Sequence, residues 1–147
     1  MKILLMLVFV LVACSKDPST PEGLIKMYVE DVTSKQMTKD YYEKYTGGEL
    51  WESISSLNDE DFESFSSLKK LKNAKVNIEK KICESKSECR LTYIIKYEYD
   101  GEDKNEFASE VKKVAELQKV EDSWKILKVS NIKSYVDSKT PINVLED

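Results

Sequence analysis

The sequence predicts an α+β domain in which N-terminal helices pack on an antiparallel sheet of about four strands. Three observations predict this class. Apolar residues recur at helical spacing from residue 21 onward. From about residue 74, apolar and polar residues alternate instead, which is the period of a half-buried strand. Short polar segments then separate the alternating runs. Because helical segments precede the strands and do not alternate with them, a parallel α/β sheet is not expected.

The first helix is predicted over residues 21 to about 35. Thr20 is a good N-cap, because its hydroxyl can accept a hydrogen bond from the first turn. Pro21 suits the first helical position, where no backbone N–H is needed. An apolar stripe at helical spacing makes this helix amphipathic: Leu24, Ile25, Tyr28, Val29 and Val32.

Three shorter helices are expected before the strands. The first covers residues 40–45 and should end at Gly47-Gly48, since glycine readily takes the positive φ common at helix ends. The next two cover residues 49–57 and 59–68, with Asn58 as the N-cap of the last one. Serine and acidic residues dominate this part of the chain.

The strands begin with two runs that flank the segment Glu84–Glu88. Apolar residues alternate in both runs: Val76, Ile78 and Ile82, then Leu91, Tyr93, Ile95, Tyr97 and Tyr99. A loop follows through Glu106. Residues 107–120 fit a helix as well as a strand, and we predict a strand over 109–120. That choice rests on residues 121–123, which read as a turn before the returning strand WKILKVSNI.

The N-terminus predicts export. Lys2 is followed by an unbroken apolar run, Ile3–Ala13, which as a helix would span about 16 Å, roughly half of the hydrocarbon core of a bilayer. Leu11-Val12-Ala13-Cys14 resembles the bacterial lipoprotein signal, in which the cysteine receives diacylglycerol, cleavage precedes it, and the new amine is acylated. The resemblance implies a signal peptide over 1–13, and the alternative is an ordinary cleaved signal.

A lipid at Cys14 would determine the cellular location of the protein. Several acyl chains hold a protein far more firmly than one, which gives only marginal, reversible binding. The expected partner is therefore a membrane, reached through a lipidated Cys14 and a polar linker, residues 14–20. Ser15 follows the cysteine, which in the resembling family accompanies delivery to the outer membrane, facing the periplasm or the exterior.

Cys83 and Cys89 remain after Cys14 is assigned to lipid. An exported protein lies in an oxidising compartment, so a disulfide across the polar turn between them is favoured. The alternative is a reduced pair. Two thiols at this spacing, in a chain without histidine, do not form a recognisable zinc site.

The composition argues against several classes of chemistry. The absence of His removes Ser-His and Cys-His nucleophiles and a histidine base. No glycine-rich phosphate loop occurs, and the segment 100–106 lacks the ligand pattern of a calcium loop. A net charge of −4, with no basic cluster, argues against nucleic acid as a partner. Pairs such as Lys112-Lys113 are expected on solvated faces. We predict no catalytic residue, cofactor or metal.

The order of elements, with TPEGLIKMYVED at the start and SWKILKVSNI near the end, resembles the small NTF2-like, or cystatin-like, domains of bacterial lipoproteins. The resemblance implies a domain over 21–136, a tail over 137–147, and a curved sheet that wraps around the first helix as a cone, sometimes open as a pocket. The residues expected to line such a pocket are Tyr28, Tyr93, Ile95, Tyr97 and Trp124.

The function predicted from these features is non-catalytic binding of a small molecule or a protein in the bacterial cell envelope. One alternative is an inhibitor or adhesin that meets a basic partner with its acidic surface. The other is implied by the resemblance: some NTF2-like enzymes, such as isomerases or dehydratases, transfer protons with a buried aspartate and a tyrosine. No carboxylate can be assigned that role from the sequence.

Overall fold

The computed structural model describes residues 17–66, 71–100 and 106–138 and confirms the α+β class. Four helices come first: α1 Pro21–Ser34, α2 Lys39–Tyr45, α3 Gly48–Ser55 and α4 Asp59–Ser66. Four strands follow: β1 Lys72–Cys83, β2 Glu88–Asp100, β3 Glu106–Val120 and β4 Ser123–Ser138. The strands form one antiparallel sheet in the order β1-β2-β3-β4, which is curved and does not close.

Two of the helices begin where their caps predict. Thr20 accepts a hydrogen bond from the backbone N–H of Gly23 at 3.1 Å, which satisfies one of the free donors of the first turn of α1. The Asn58 side chain accepts from the backbone N–H of Asp61 at 2.9 Å and so caps α4. Local side-chain chemistry is therefore sufficient to start these helices.

The glycine pair has a different role from the one predicted. Helix α2 ends at Tyr45, and both Thr46 and Gly47 are extended. Gly47 donates its N–H to the Ile126 carbonyl at 3.0 Å, while Gly48, with φ +52°, is the first residue of α3. The prediction that the glycines end α2 is wrong. The helix ends before them, at Tyr45, and the hydrogen bond from Gly47 to β4 holds the chain extended before α3 begins.

The last two strands are longer than predicted. Strand β3 begins at Glu106, and β4 continues to Ser138, beyond the domain end predicted at residue 136. The two strands stay paired along this extension, from Phe107 opposite Ser138 inward, so each supplies the other's backbone hydrogen bonds. Of the predicted tail, residues 139–147 lie outside the described residues.

A disulfide joins Cys83 and Cys89 across the hairpin between β1 and β2. The two residues are directly opposite each other at the end of the paired segment, and Glu84 donates its N–H to the Glu88 carbonyl at 3.0 Å within the turn. In the chain-entropy description, so short a loop contributes about 2 kcal/mol to the free energy of unfolding. The bond therefore holds the hairpin end together.

The core lies between the helices and one face of the sheet, which we call the inner face. Four core residues have no accessible surface: Ile25 on α1, Leu91 on β2, Ala115 on β3 and Ile126 on β4. Two irregularities in the β3–β4 pairing leave Leu127 and Ile132 without an opposite residue. Bulges of this kind bend a strand and increase its twist, which accounts for part of the curvature around α1.

Candidate functional site

A groove of about 290 Å³ lies between the second half of α1 and the inner face of the sheet. Four of the five predicted pocket residues line it together: Tyr28, Tyr93, Ile95 and Tyr97. Trp124 does not line this groove and is instead buried in the core. The other lining residues come from α1, β3, β4 and the position just before β1: Val29, Val32, Thr33, Leu71, Val111, Lys113, Val129, Asn131 and Ser134.

Packed aromatic rings form one wall of the groove. Tyr28 meets the rings of Tyr42 and Tyr45 edge-on, with centroid separations of 6.4 and 5.7 Å. The hydroxyl of Tyr45 donates to the carboxylate of Asp31 at 2.5 Å, which ties α2 to α1 beside this cluster. Aromatic pairs in this geometry stabilise one another beyond the area they bury. The position of the Tyr28 ring is therefore set by its neighbours.

Two of the tyrosines that line the groove, Tyr28 and Tyr93, stay protonated. Burial raises the pKa of Tyr28, with smaller contributions from Tyr42 and Tyr93. Burial alone raises the pKa of Tyr93. A neutral phenol can donate a hydrogen bond, so each of these side chains brings a donor to an otherwise apolar surface.

Lys113 is the one charged side chain among the described lining residues. It stands on the inner face of β3 between Val111 and Ala115, both of them buried. Directly opposite it are Tyr93 on β2 and Asn131 on β4. Burial lowers the pKa of its ammonium group. The side chain is thus a cation in a row of the sheet that is otherwise packed against the helices.

Lys112, the preceding residue, behaves differently. Its ammonium lies 2.5 Å from the carboxylate of Glu79 on the outer face of the sheet. No described carboxylate lies within 4.0 Å of the Lys113 ammonium. The prediction that Lys112-Lys113 is a solvated pair is therefore wrong for Lys113, because successive strand residues point to opposite faces.

Several polar groups in the groove have no described hydrogen-bond partner, although the Thr33 hydroxyl donates to the Val29 carbonyl. Within the described part of the chain, neither the Lys113 ammonium nor the hydroxyls of Tyr28, Tyr93 and Tyr97 form a hydrogen bond. No carboxylate is among the described lining residues. The groove therefore presents an unpaired ammonium and several hydroxyls that can donate, and an occupant rich in acceptors would satisfy them.

Replacing Lys113 with methionine should raise the free energy of unfolding at neutral pH, by about 0.5–2 kcal/mol, the usual gain from relieving a strained functional position. The ammonium loses hydration on folding, and neither Tyr93 on β2, Tyr28 on α1 nor Asn131 on β4 supplies a negative charge. The pKa of Lys113 is lower in the folded protein than in the unfolded chain. The free energy of unfolding of the wild type should therefore rise with pH between these two pKa values. Urea unfolding at several pH values measures both effects. An equal pH slope in Lys113→Met would contradict the explanation.

Other depressions are less suited to a ligand. A wider one, about 790 Å³, opens at the far end of the sheet. Two of its carboxylates already have partners: Glu110 contacts Lys96 at 2.8 Å, and Glu98 accepts a hydrogen bond from Asn73 at 2.6 Å. Contacts of this kind are typical of a solvated sheet surface.

The described residues contain neither a metal-binding cluster nor a membrane-spanning helix. No group of three or more His, Cys, Asp or Glu side chains is arranged there to hold a metal ion. Within the same ranges, no helix combines the length and the apolar character needed to cross a bilayer. No protein-family model, curated protein or solved structure matches this chain.

Proposed function

We propose that this protein is a lipid-anchored lipoprotein of the bacterial cell envelope whose NTF2-like domain binds a small, largely apolar molecule without chemical change. The observation that carries the proposal is the groove beneath α1. It joins aromatic and aliphatic walls to a few unpaired polar groups, the usual composition of a small-molecule site. The lipoprotein part rests on the resemblance of Leu11–Cys14 to a lipoprotein signal.

Binding accounts for the groove more simply than catalysis. A proton-transfer enzyme of the NTF2-like kind needs a carboxylate base whose pKa is tuned by an apolar site. The described lining offers Tyr28, Tyr93 and Tyr97 as donors and Lys113 as a cation, with no carboxylate beside them. The isomerase or dehydratase hypothesis therefore lacks a base among these residues and stays a less favoured alternative.

A second candidate function is contact with a basic protein. Helices α3 and α4 lie in a segment, residues 48–66, without lysine or arginine. The segment carries these acidic residues: Glu49, Glu52, Asp59, Glu60, Asp61 and Glu63. Phe65 is exposed in the same segment. Association through this surface would weaken steeply with salt, because exposed charges steer encounter mainly at low ionic strength.

Blocking the groove tests the binding proposal. Ser134 is exposed and lines the groove, so Ser134→Trp should fill the opening without disturbing the core. Ser130 is also exposed on β4, but it pairs with Val114 of the outer row, so Ser130→Trp is a matched control. We would titrate octanol into the full chain in nanodiscs and follow the methyl NMR signals of Val111 and Val129, with empty nanodiscs as the blank.

Octanol should shift both methyl signals saturably in the wild type and in Ser130→Trp. The affinity should fall by about tenfold or more in Ser134→Trp, because the indole occupies the space that the alkyl chain needs. Saturable shifts of the same size in both tryptophan variants would show that octanol binds outside the groove. The absence of any saturable shift in the wild type would overturn the small-molecule proposal.

A further inference from the structure

We infer that the groove selects a free, single-chain monocarboxylate, such as a medium-chain fatty acid, and holds its head group on Lys113. This inference rests on the proposed function, because it names the class of ligand for the same groove. It goes further by assigning the charge of the ligand, its orientation and the residue that recognises it.

The first step is the isolation of the Lys113 charge. On the inner row of β3, its neighbours on both sides are Val111 and Ala115, which are buried. Two lysines on the exposed surfaces of the sheet have carboxylate partners: Lys96 contacts Glu110, and Lys112 contacts Glu79. An inward-facing lysine without a described partner places one uncompensated positive charge at the groove, and a single anion is its electrostatic complement.

The second step concerns hydrogen bonding. An ammonium group donates and cannot accept, and a protonated phenol readily donates. Lys113 lies opposite Tyr93 across one strand pair and opposite Asn131 across the other, so an ammonium, a phenol and an amide that can donate occupy one level of the sheet. A carboxylate has only acceptors and can take several donors at once. An amine ligand, which is an ammonium at neutral pH, would instead repel Lys113 and could not accept its hydrogen bonds.

The third step is the shape and lining of the rest of the groove. Away from Lys113, its surface is largely aliphatic and comes from α1 and three strands: Val29, Val32, Ile95, Val111 and Val129. A volume of about 290 Å³ is at the small end of ligand pockets, which span about 300–1,000 Å³. One short alkyl chain fits such a space better than a lipid with two chains.

These features orient the ligand. With the carboxylate at Lys113, between β2 and β4, the alkyl chain extends over Ile95 and Val111 toward the valines of α1. The bound anion would also relieve the cost of burying the Lys113 ammonium, whose pKa is lowered by burial. A neutral ligand of equal length gains the apolar contacts alone.

The experiment compares three probes of equal chain length: octanoate, octanol and octylamine. Each is titrated at neutral pH into the full chain in nanodiscs of zwitterionic lipid, again with the methyl signals of Val111 and Val129 as the readout. The variants are Lys113→Met, which keeps the length of the side chain without its charge, and Lys112→Met, which removes a lysine from the outer face. Lys113→Arg, which keeps the charge, is the rescue.

Octanoate should bind the wild type and Lys112→Met roughly 10- to 100-fold more tightly than octanol, the range of a charge-assisted hydrogen bond. Lys113→Met should reduce that preference to near unity while octanol binding is kept, and Lys113→Arg should restore much of it. Octylamine should bind most weakly. If Lys113→Met does not fold, as a loss of NMR signal dispersion would show, the inference is tested by Lys113→Arg and by the three probes in the wild type.

Three results would overturn the inference. Equal affinities for octanoate and octanol would remove the charge selectivity but leave the groove as a binding site. An octanoate preference that survives in Lys113→Met would assign the head group to another residue. Failure of all three probes to bind the wild type would overturn both this inference and the proposed function.

Discussion

Replacing Ile126 with alanine should lower the free energy of unfolding by about 2–5 kcal/mol, the cost of deleting a fully buried aliphatic side chain and leaving a cavity. Ile126 has no accessible surface and pairs with Leu117 of β3. Its carbonyl also accepts the N–H of Gly47, next to a parallel bridge between Thr46 and Ile126. The residue thus joins the helical segment to the free edge of β4. Urea unfolding of the full chain, followed by far-UV circular dichroism, measures the loss.

The control for this substitution lies on the same strand. Ile132 is 56% exposed and is the unpaired residue of a bulge in the β3–β4 pairing. Ile132→Ala should therefore change the free energy of unfolding by less than about 0.5 kcal/mol. Similar losses in the two variants would contradict a core that contains Ile126 and leaves Ile132 outside.

The helices and strands were predictable because their signals are local. The apolar stripe of α1 and its cap at Thr20 lie within one short stretch of sequence. The alternation of β2 likewise lies within a single strand. The same reasoning explains why Tyr93, Ile95 and Tyr97 could be assigned to one face together. Their relation follows from the period of a single strand and needs no knowledge of its neighbours.

The faces of β4 were not predictable in this way. Simple alternation from Ile126 would place Ile132 on the same face, yet the inner row continues through Val129 and Asn131 and leaves Ile132 exposed. Two bulges shift the alternation, and the pairing with β3 determines where they occur. A bulge depends on the register of two strands, so the sequence of one strand does not reveal it.

Lys113 was missed for a related reason. In the sequence it belongs to a Lys-Lys pair, a pattern typical of solvated faces, and residues 107–120 fit a helix as well as a strand. Only the pairing of β3 with β2 places it opposite Tyr93, on the inner face. One signal was available: once a strand is assumed, Lys113 interrupts a row in which Val111, Ala115 and Leu117 are apolar. An inward lysine in such a row should be treated as a candidate site.

Replacing Cys14 with serine should abolish incorporation of labelled palmitate and move essentially all of the protein from the membrane fraction to the soluble or unprocessed fraction. Cys14 lies outside the described residues, and the prediction rests on the chemistry of its thiol. A serine hydroxyl is a much poorer nucleophile than a thiolate, so the thioether to diacylglycerol would not form. Without acyl chains, the protein loses the membrane-binding free energy of their CH₂ groups, about 0.8 kcal/mol for each group buried in the bilayer. Fractionation of labelled cells measures both changes.

The other two cysteines provide the control for this prediction. The double variant Cys83→Ser/Cys89→Ser removes the disulfide, and with it about 2 kcal/mol of stability, but leaves Cys14 in place. It should therefore keep its palmitate label and its place in the membrane fraction, whereas Cys14→Ser should keep the folded domain and lose both. Undiminished label in Cys14→Ser would contradict the lipoprotein assignment. The groove and its test with octanol would not be affected, because every described residue that lines the groove comes after the linker.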